Sequence, residues 1–445
     1  MGMKYVEHVK SAFLLFLVGL SMTLTFSIWT YTPTYDKMQK APAMDISIAE
    51  SKRLDDVVKP YKMLFSFENG LTGTSTAFDV ERILGVMKEW EFRELTMINN
   101  NLSPAELNEY SKAHNRFTIF YPTDIPFPVF DNIMPFSSTK IQETGFDRII
   151  VDWNFTADGD ITVYFASSST NLLYAAKANK VGNQKIEDKI IKPAMNFSKY
   201  EEIQRQDKLS LFVPSKEVEI IRYTYILKEI PPVQFKDALF DNPNKVRRSS
   251  TGSFNEEYSD DTALMNVDLL DRTFKYSYPA AESSIPGIPS EIFFDSLDFV
   301  NEHDGWTDDY RFVGLEPINQ GINYQLYLQG YPVFSEMSST TINTFWGNDQ
   351  IYKYVRPYYT LDLDLSLPSE TEVMILPSGK QAENMLAQVS KLDVSSVKEI
   401  TVGYYLTRDD EKGLLHLEPS WFYLTDKVWT RITPETLGGG KFGLE

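Results

Sequence analysis

Residues 11–29 read SAFLLFLVGLSMTLTFSIW, an apolar run from Ser11 to Trp29 that contains no charged side chain. A helix of about 19 residues, rising 1.5 Å at each, crosses a hydrocarbon core roughly 30 Å thick. Tyr5 precedes the run, and Trp29 and Tyr31 close it, aromatic rings at the depth where headgroups lie. Pro33 then stops the helix. A cleaved signal peptide would have a shorter apolar core, about 7–15 residues, followed directly by a small-residue cleavage site. The A-x-A-like triplet here, Ala41-Pro42-Ala43, lies well downstream and holds a proline. The reading is an uncleaved transmembrane helix over 11–30, behind a short tail of residues 1–10.

That helix has a patterned surface. At 100° per residue, Ala12, Gly19, Thr23, Ser27 and Thr30 fall on one narrow stripe, with small-xxx-small steps at Gly19, Thr23 and Ser27. Small residues let a second backbone approach closely, and hydroxyls can bond across helices. Gly, Ser and Thr are also common in any membrane helix, and Ser21 and Thr25 lie on the opposite face. The stripe marks a candidate contact for a partner helix.

Composition bounds the rest. The 445 residues allow two or three domains beyond the helix. The 42% hydrophobic and 14% aromatic content is that of a globular chain, and 29 Phe with 25 Tyr favour β structure. A net charge of −19 excludes nucleic acid as the natural partner and disfavours tight adhesion to anionic lipid. The absence of cysteine removes thiol catalysis, thiolate metal sites and disulfides together. Lys4 and Lys10 before the helix nearly balance Lys37 and Lys40 after it. A cytoplasmic N-terminus with the bulk of the chain exported is the simplest topology for a single N-terminal anchor at the cell membrane.

Local signals divide the exported part. Residues 31–60 read as a stalk ending in a short amphipathic piece, with Ile46, Ile48, Leu54 and Val58 on one side and Lys59-Pro60 as the stop. An N-terminal α+β domain is expected over 61–205. It includes Lys62–Phe67 as a strand and a helix opened by the capping box Ser103-Pro104-Ala105-Glu106. Residues 199–213 read as its exit. A central α+β domain over 206–285 ends at the linker SSIPGIPS, 283–290, with two prolines and a glycine. A C-terminal α+β domain follows over 286–433, in which Thr360–Leu367 alternates leucine with polar residues. Residues 434–445 read as a flexible tail. DRTFKYSYP (271–279) and DQIYKYVRP (349–357) share Asp-x-x-aromatic-Lys-Tyr-x-x-Pro. Each begins at a turn, as the second strand of a hairpin with a helix upstream. The repeat implies that the second and third domains are related copies. The fold class is thus α+β: one transmembrane helix and a three-domain ectodomain with mainly antiparallel sheets.

No constellation for catalysis emerges. NGLTGTSTAFD (69–79) has the order strand, glycine-rich loop, helix, but no lysine follows Gly73 as a phosphate loop requires. A turn with a Ser/Thr N-cap explains it more simply. His8, His114, His303 and His416 are spread too widely for a local metal motif. His303 with Asp304, Asp308 and Asp309 reads as an exposed acidic loop. Asp362 and Asp364 lack a surrounding calcium loop. Ser137-x-x-Lys140 has no companion Lys-Thr-Gly. The expectation is a non-enzyme without cofactor or metal.

Several stretches carry a resemblance: LLFLVGLSMTLTFSIWTY in the anchor, DVVKP (56–60), QFKDALFDNP (234–243), LYLQGYPVF (326–334), VKEITVGYYL (397–406) and EPSWFY (418–423). With the short tail, the anchor, the cysteine-free ectodomain and the duplicated hairpin, the chain resembles the YycH family of Gram-positive bacteria over nearly its whole length. The resemblance implies a membrane-anchored auxiliary regulator of the essential sensor histidine kinase WalK (YycG), which governs cell-wall metabolism. It also implies a second single-pass partner, YycI, met through membrane helices. Those contacts would map onto Ser11–Thr30. The family brings no catalytic residue. An alternative is an extracellular module binding cell-wall glycan or peptide, suggested by Tyr352, Tyr354, Tyr358 and Tyr359, which look exposed in sequence.

Overall fold

Lys62–Phe67, KMLFSF, is buried along all six residues, which places it inside a sheet covered on both faces. It pairs antiparallel with Gly70–Thr74 on one side and Arg116–Pro126 on the other. Gly70, at φ +117°, makes the tight turn after Glu68-Asn69. Gly145–Asp152, Ile161–Ser167, Leu172–Asn179 and Glu91–Asn99 extend the sheet one way. Ser198–Ile203 and Leu211–Pro214 extend it the other way, to nine strands. The stretch 199–213, expected to be an exit, is therefore the sheet's own margin.

The computed structural model describes residues 14, 16–25, 49–137, 141–179, 181–348, 350–361, 368–387, 392–426 and 428–432. The chain separates into two units, Met1–Asp45 and Ile46–Glu445. In the first, the described residues 14 and 16–25 are helical. Among the described residues no helix is long and apolar enough to cross a membrane.

In the second unit, Ala77–Met87 turns Val80, Ile83, Leu84 and Met87 inward, the 3.6-residue spacing of an apolar helical face. Pro104–Lys112 opens with the capping box: Glu106 N–H donates to Ser103 Oγ at 3.2 Å, and Ser103 N–H donates to Glu106 Oε2 at 2.8 Å. The high phenylalanine content fills one core. Phe127 lies within 5.1–5.8 Å of the Phe136, Phe146, Phe165 and Tyr174 rings, mostly edge-on.

The other large sheet holds two successive units of one kind. Helix Pro232–Leu239 leads into the antiparallel run Arg247–Ser250, Asn255–Ser259, Leu264–Asp268 and Thr273–Ser277. Helix Pro289–Glu302 leads into Tyr310–Glu316, Gly321–Leu328, Thr341–Gly347 and Gln350–Pro357, paired in the same way. The last strands of the two runs are the repeated nonapeptides, and they pair with each other. Lys275 faces Val355, Tyr276 faces Tyr354 and Ser277 faces Lys353. Because Tyr276 and Tyr354 occupy the same place in the repeat, a local two-fold passes between them. The residues on either side of the 283–290 linker thus share one sheet. Tyr331–Phe334 carries that sheet onward through its parallel pairing with Glu399–Asp409. Leu414–Thr425, Val218–Ile226 and Glu370–Leu376 follow, for fourteen strands in all. The architecture is mixed α+β with mainly antiparallel sheets.

Specific contacts join the two sheets. Tyr61 donates its hydroxyl to Glu399 Oε2 at 2.6 Å, and buried Lys62 pairs with Glu399 at 3.1 Å. Gly330, at φ +91°, abuts the start of helix Ala77–Met87: a Cβ there would lie 2.6 Å from Ser75 O and 2.8 Å from Ala77 N. The glycine-rich loop before that helix therefore receives a hairpin tip.

Candidate functional site

The chain enters its larger unit through Lys52, a residue with no local sequence signal. Lys52 N–H donates to Asn301 Oδ1 at 2.8 Å, and Asn301 Nδ2 donates back to Lys52 O at 3.1 Å. This two-way amide pairing fixes the entering backbone to the last turn of helix Pro289–Glu302. The Lys52 ammonium then donates to Asp308 O at 2.8 Å and lies 3.7 Å from Asp309 Oδ1. Trp306 braces the same point, its indole N–H donating to Asn301 Oδ1 at 2.7 Å, with Lys52 Nζ 5.7 Å from its ring centre. Leu54–Val57 follows as a single helical turn, shorter than the amphipathic piece expected, and Ile46 and Ile48 lie outside the described residues.

The loop gripped by Lys52 is itself anchored. Asp308 accepts from Leu361 N–H at 2.8 Å, Thr360 Oγ1 at 3.0 Å and Thr307 Oγ1 at 3.1 Å. Asp309 accepts from Arg311 at 2.7 Å. Fully buried Arg356 donates to Pro357 O at 2.9 Å and Thr307 Oγ1 at 2.7 Å, and it also bonds Gly305 O. The expected exposed acidic loop is thus corrected: Asp308 is only 8% exposed, its carboxylate held inside by donors from Thr307 and from Thr360–Leu361. Sequence gave no view of those donors, because Arg356 and Leu361 lie about fifty residues away.

Burial pushes the Asp308 carboxyl up to about 6, against the lowering pull of its donors and of Arg356. Burial would raise Asp309 too, but Arg311 and Lys52 outweigh it and hold that carboxyl below the ordinary range. Burial lowers Lys52. A carboxyl raised on folding contributes stability in full below its unfolded value near 4 and loses it as pH rises through about 6. Wild-type protein should therefore gain roughly 2 kcal/mol from this group between pH 7 and pH 4.5, at about 1.36 kcal/mol per pKa unit. Asp308→Asn should flatten that part of the profile. Denaturant melts of both proteins across pH 4–7 check this, and parallel profiles would contradict it.

The stripe expected to meet a partner helix is described in part. Gly19 and Thr23 lie one turn apart on an exposed helix, and no atom lies within 4 Å of a Cβ built at Gly19. The Thr23 hydroxyl donates to Gly19 O at 3.1 Å and to Leu20 O at 2.9 Å. Ala12, Ser27 and Thr30 lie outside the described residues, as do Lys140, Asp362 and Asp364. The exposed-tyrosine motive for glycan binding is corrected. Tyr354, Tyr358 and Tyr359 are buried, and Tyr359 donates its hydroxyl to Ser339 O at 2.6 Å. Tyr352 is half-buried. Among the described residues no three His, Asp or Glu side chains are grouped to hold a metal ion.

Residues 7–195 match the family model of the YycH protein, N-terminal domain, and residues 208–437 that of the YycH protein, C-terminal domain. The chain belongs to the YycH family. A relative in Bacillus subtilis (strain 168), the two-component system WalR/WalK regulatory protein YycH, is 21% identical over 97% of this chain and 96% of its own length. The crystal structure of YycH from Bacillus subtilis superposes with a TM-score of 0.74 at 19% identity, covering 87% of this chain and 99% of that one. The likeness to the Bacillus megaterium YpeB C-terminal domain, TM-score 0.21 at 8% identity, is too slight to argue from.

Proposed function

We propose that this protein is an auxiliary regulator of a WalR/WalK-type two-component system. The reading is carried by one observation: the chain aligns along nearly its whole length with a relative named for that role. In this reading residues 11–30 cross the cell membrane from a cytoplasmic N-terminus, and the stripe Ala12, Gly19, Thr23, Ser27 and Thr30 meets helices of the kinase and of a YycI-like single-pass protein. Residues 31–60 form the stalk, and 61–205, 206–285 and 286–433 are successive parts of the exported body, the last two being related copies. The local two-fold between Tyr276 and Tyr354 supports that relation. In this reading the Lys52 joint holds the first described residues of the body to helix Pro289–Glu302, so that the segment before them leaves from a fixed point. Two partners already held in one geometry need only a few kcal/mol of differential contact to shift a kinase between states.

Deleting the gene in its native bacterium should change the phosphorylated fraction of the WalR-type response regulator, and the full chain supplied from a plasmid should restore it. An unchanged fraction in the deletion strain would overturn the proposal.

A further inference from the structure

The edges of the two large sheets are not alike. Arg247–Ser250 is four residues long, fully exposed and basic at its start. Glu91–Asn99 is broken by register shifts at Arg93/Thr96 and Met97/Asn99, with Glu94 at φ +57°. Leu211–Pro214 is short, mostly buried and ends in proline. Shortness, charge, bulges and proline are the usual means by which an edge avoids pairing with another chain. Glu370–Leu376, ETEVMIL, has none of the structural ones. It pairs with Val218–Thr224 through seven residues without a register shift, and among the described residues no strand pairs its outer side.

Its two faces differ in character. On one face Val373 lies opposite Ile221, with Ile375 two residues on, and these side chains are 65%, 40% and 61% exposed. On the other face Glu370 and Glu372 stand two residues apart, and Glu372 meets Arg222 at 2.6 Å on the inner neighbour. Such an edge offers main-chain ladder bonds, an apolar shelf on one side and carboxylates on the other.

We infer that Glu370–Leu376 is a docking edge for an extended segment of a partner protein, which adds to the sheet as a further strand. The segment carries β-branched or other apolar residues at alternate positions over Val373 and Ile375. Lysine or arginine occupies the intervening positions beside Glu370 and Glu372. Charge complementarity selects this occupant over a second copy of the chain. Two copies paired antiparallel about Val373 would set Glu372 diagonal to its own counterpart, at about 7–8 Å, where like charges repel.

The test uses the full-length chain and a capped, fluorescent peptide, Val-Lys-Val-Lys-Val-Lys-Val, as the probe. One control peptide has Glu in place of Lys, and a second is N-methylated at alternate residues to block the ladder. The Lys peptide should bind at least 10-fold more tightly than either control and photo-crosslink to residues 370–376. Val373→Lys with Ile375→Lys should weaken it at least 10-fold at an unchanged melting temperature. Glu370→Lys with Glu372→Lys, which leaves the apolar shelf intact, should reverse the preference towards the Glu peptide. Equal binding of all three peptides, or binding indifferent to the charge reversal, would overturn the inference. So would self-association of the full chain that the Lys peptide competes away, since the occupant would then be a second copy.

Discussion

Arg356→Ala is expected to lower the unfolding free energy by roughly 4 kcal/mol, the combined cost of orphaned acceptors and a void. Arg356 is wholly buried, and its guanidinium lies 4.8 Å from the Phe235 ring centre. Truncation would leave Pro357 O, Gly305 O and Thr307 Oγ1 without their donor in the interior. Each such group costs about 1–3 kcal/mol when left unmade. Arg356→Lys should fall between, because an ammonium keeps the charge but cannot supply the planar fork. Thermal and denaturant melts followed by circular dichroism check both variants. An alanine variant as stable as wild type would show that the buried guanidinium merely breaks even against its own desolvation.

The second large effect concerns the membrane helix proposed above for residues 11–30. Lipid tails give helices no hydrophobic drive to associate, so close packing and hydroxyl bonds must supply it, at about 0.6–2 kcal/mol each. Gly19→Leu with Thr23→Leu should separate the backbones and weaken association at least 10-fold, since about 1.4 kcal/mol is tenfold. The Thr23 hydroxyl is already satisfied within its own helix, which makes packing the larger contribution. Leu17→Ile or Leu24→Ile, off the stripe, should be silent. Site-specific crosslinking through residues 11–30 reads this cleanly, because the chain has no native thiol. Undiminished crosslinks in the double variant would place the interface elsewhere.

Features written locally were legible. The Ser103–Glu106 capping box, the Glu68-Asn69-Gly70 turn and the strand Lys62–Phe67 each depend on neighbours within a few residues, and all are present. The repeated nonapeptide was legible as a pattern, but its meaning was not: nothing local says that the two copies would lie side by side about Tyr276 and Tyr354. Ser198–Ile203 was missed because KYEEI has no strong alternation, and its pairing with Gly70–Thr74 spans more than a hundred residues. The joint was hidden for the same reason. Lys52 reads as an ordinary surface lysine until Asn301 and Asp308 are brought to it, and Asp308 reads as exposed until Thr360 and Leu361 cover it. Aromatic strand residues such as Tyr354 and Tyr359 misled because sequence alone cannot say which face of a strand the core covers.

The Lys52 joint carries the central claim of the proposed function, that a body held at Lys52 influences the kinase through the segment preceding it. Lys52→Ala removes the ammonium from Asp308 O and Asp309 while leaving the large sheets intact. The direct measurement is the phosphorylated fraction of the response regulator in cells carrying this variant, at chain levels matched by immunoblot. The account predicts a fraction shifted towards that of the deletion strain, with the body's own melting transition nearly unchanged. A wild-type fraction in cells bearing Lys52→Ala would contradict it.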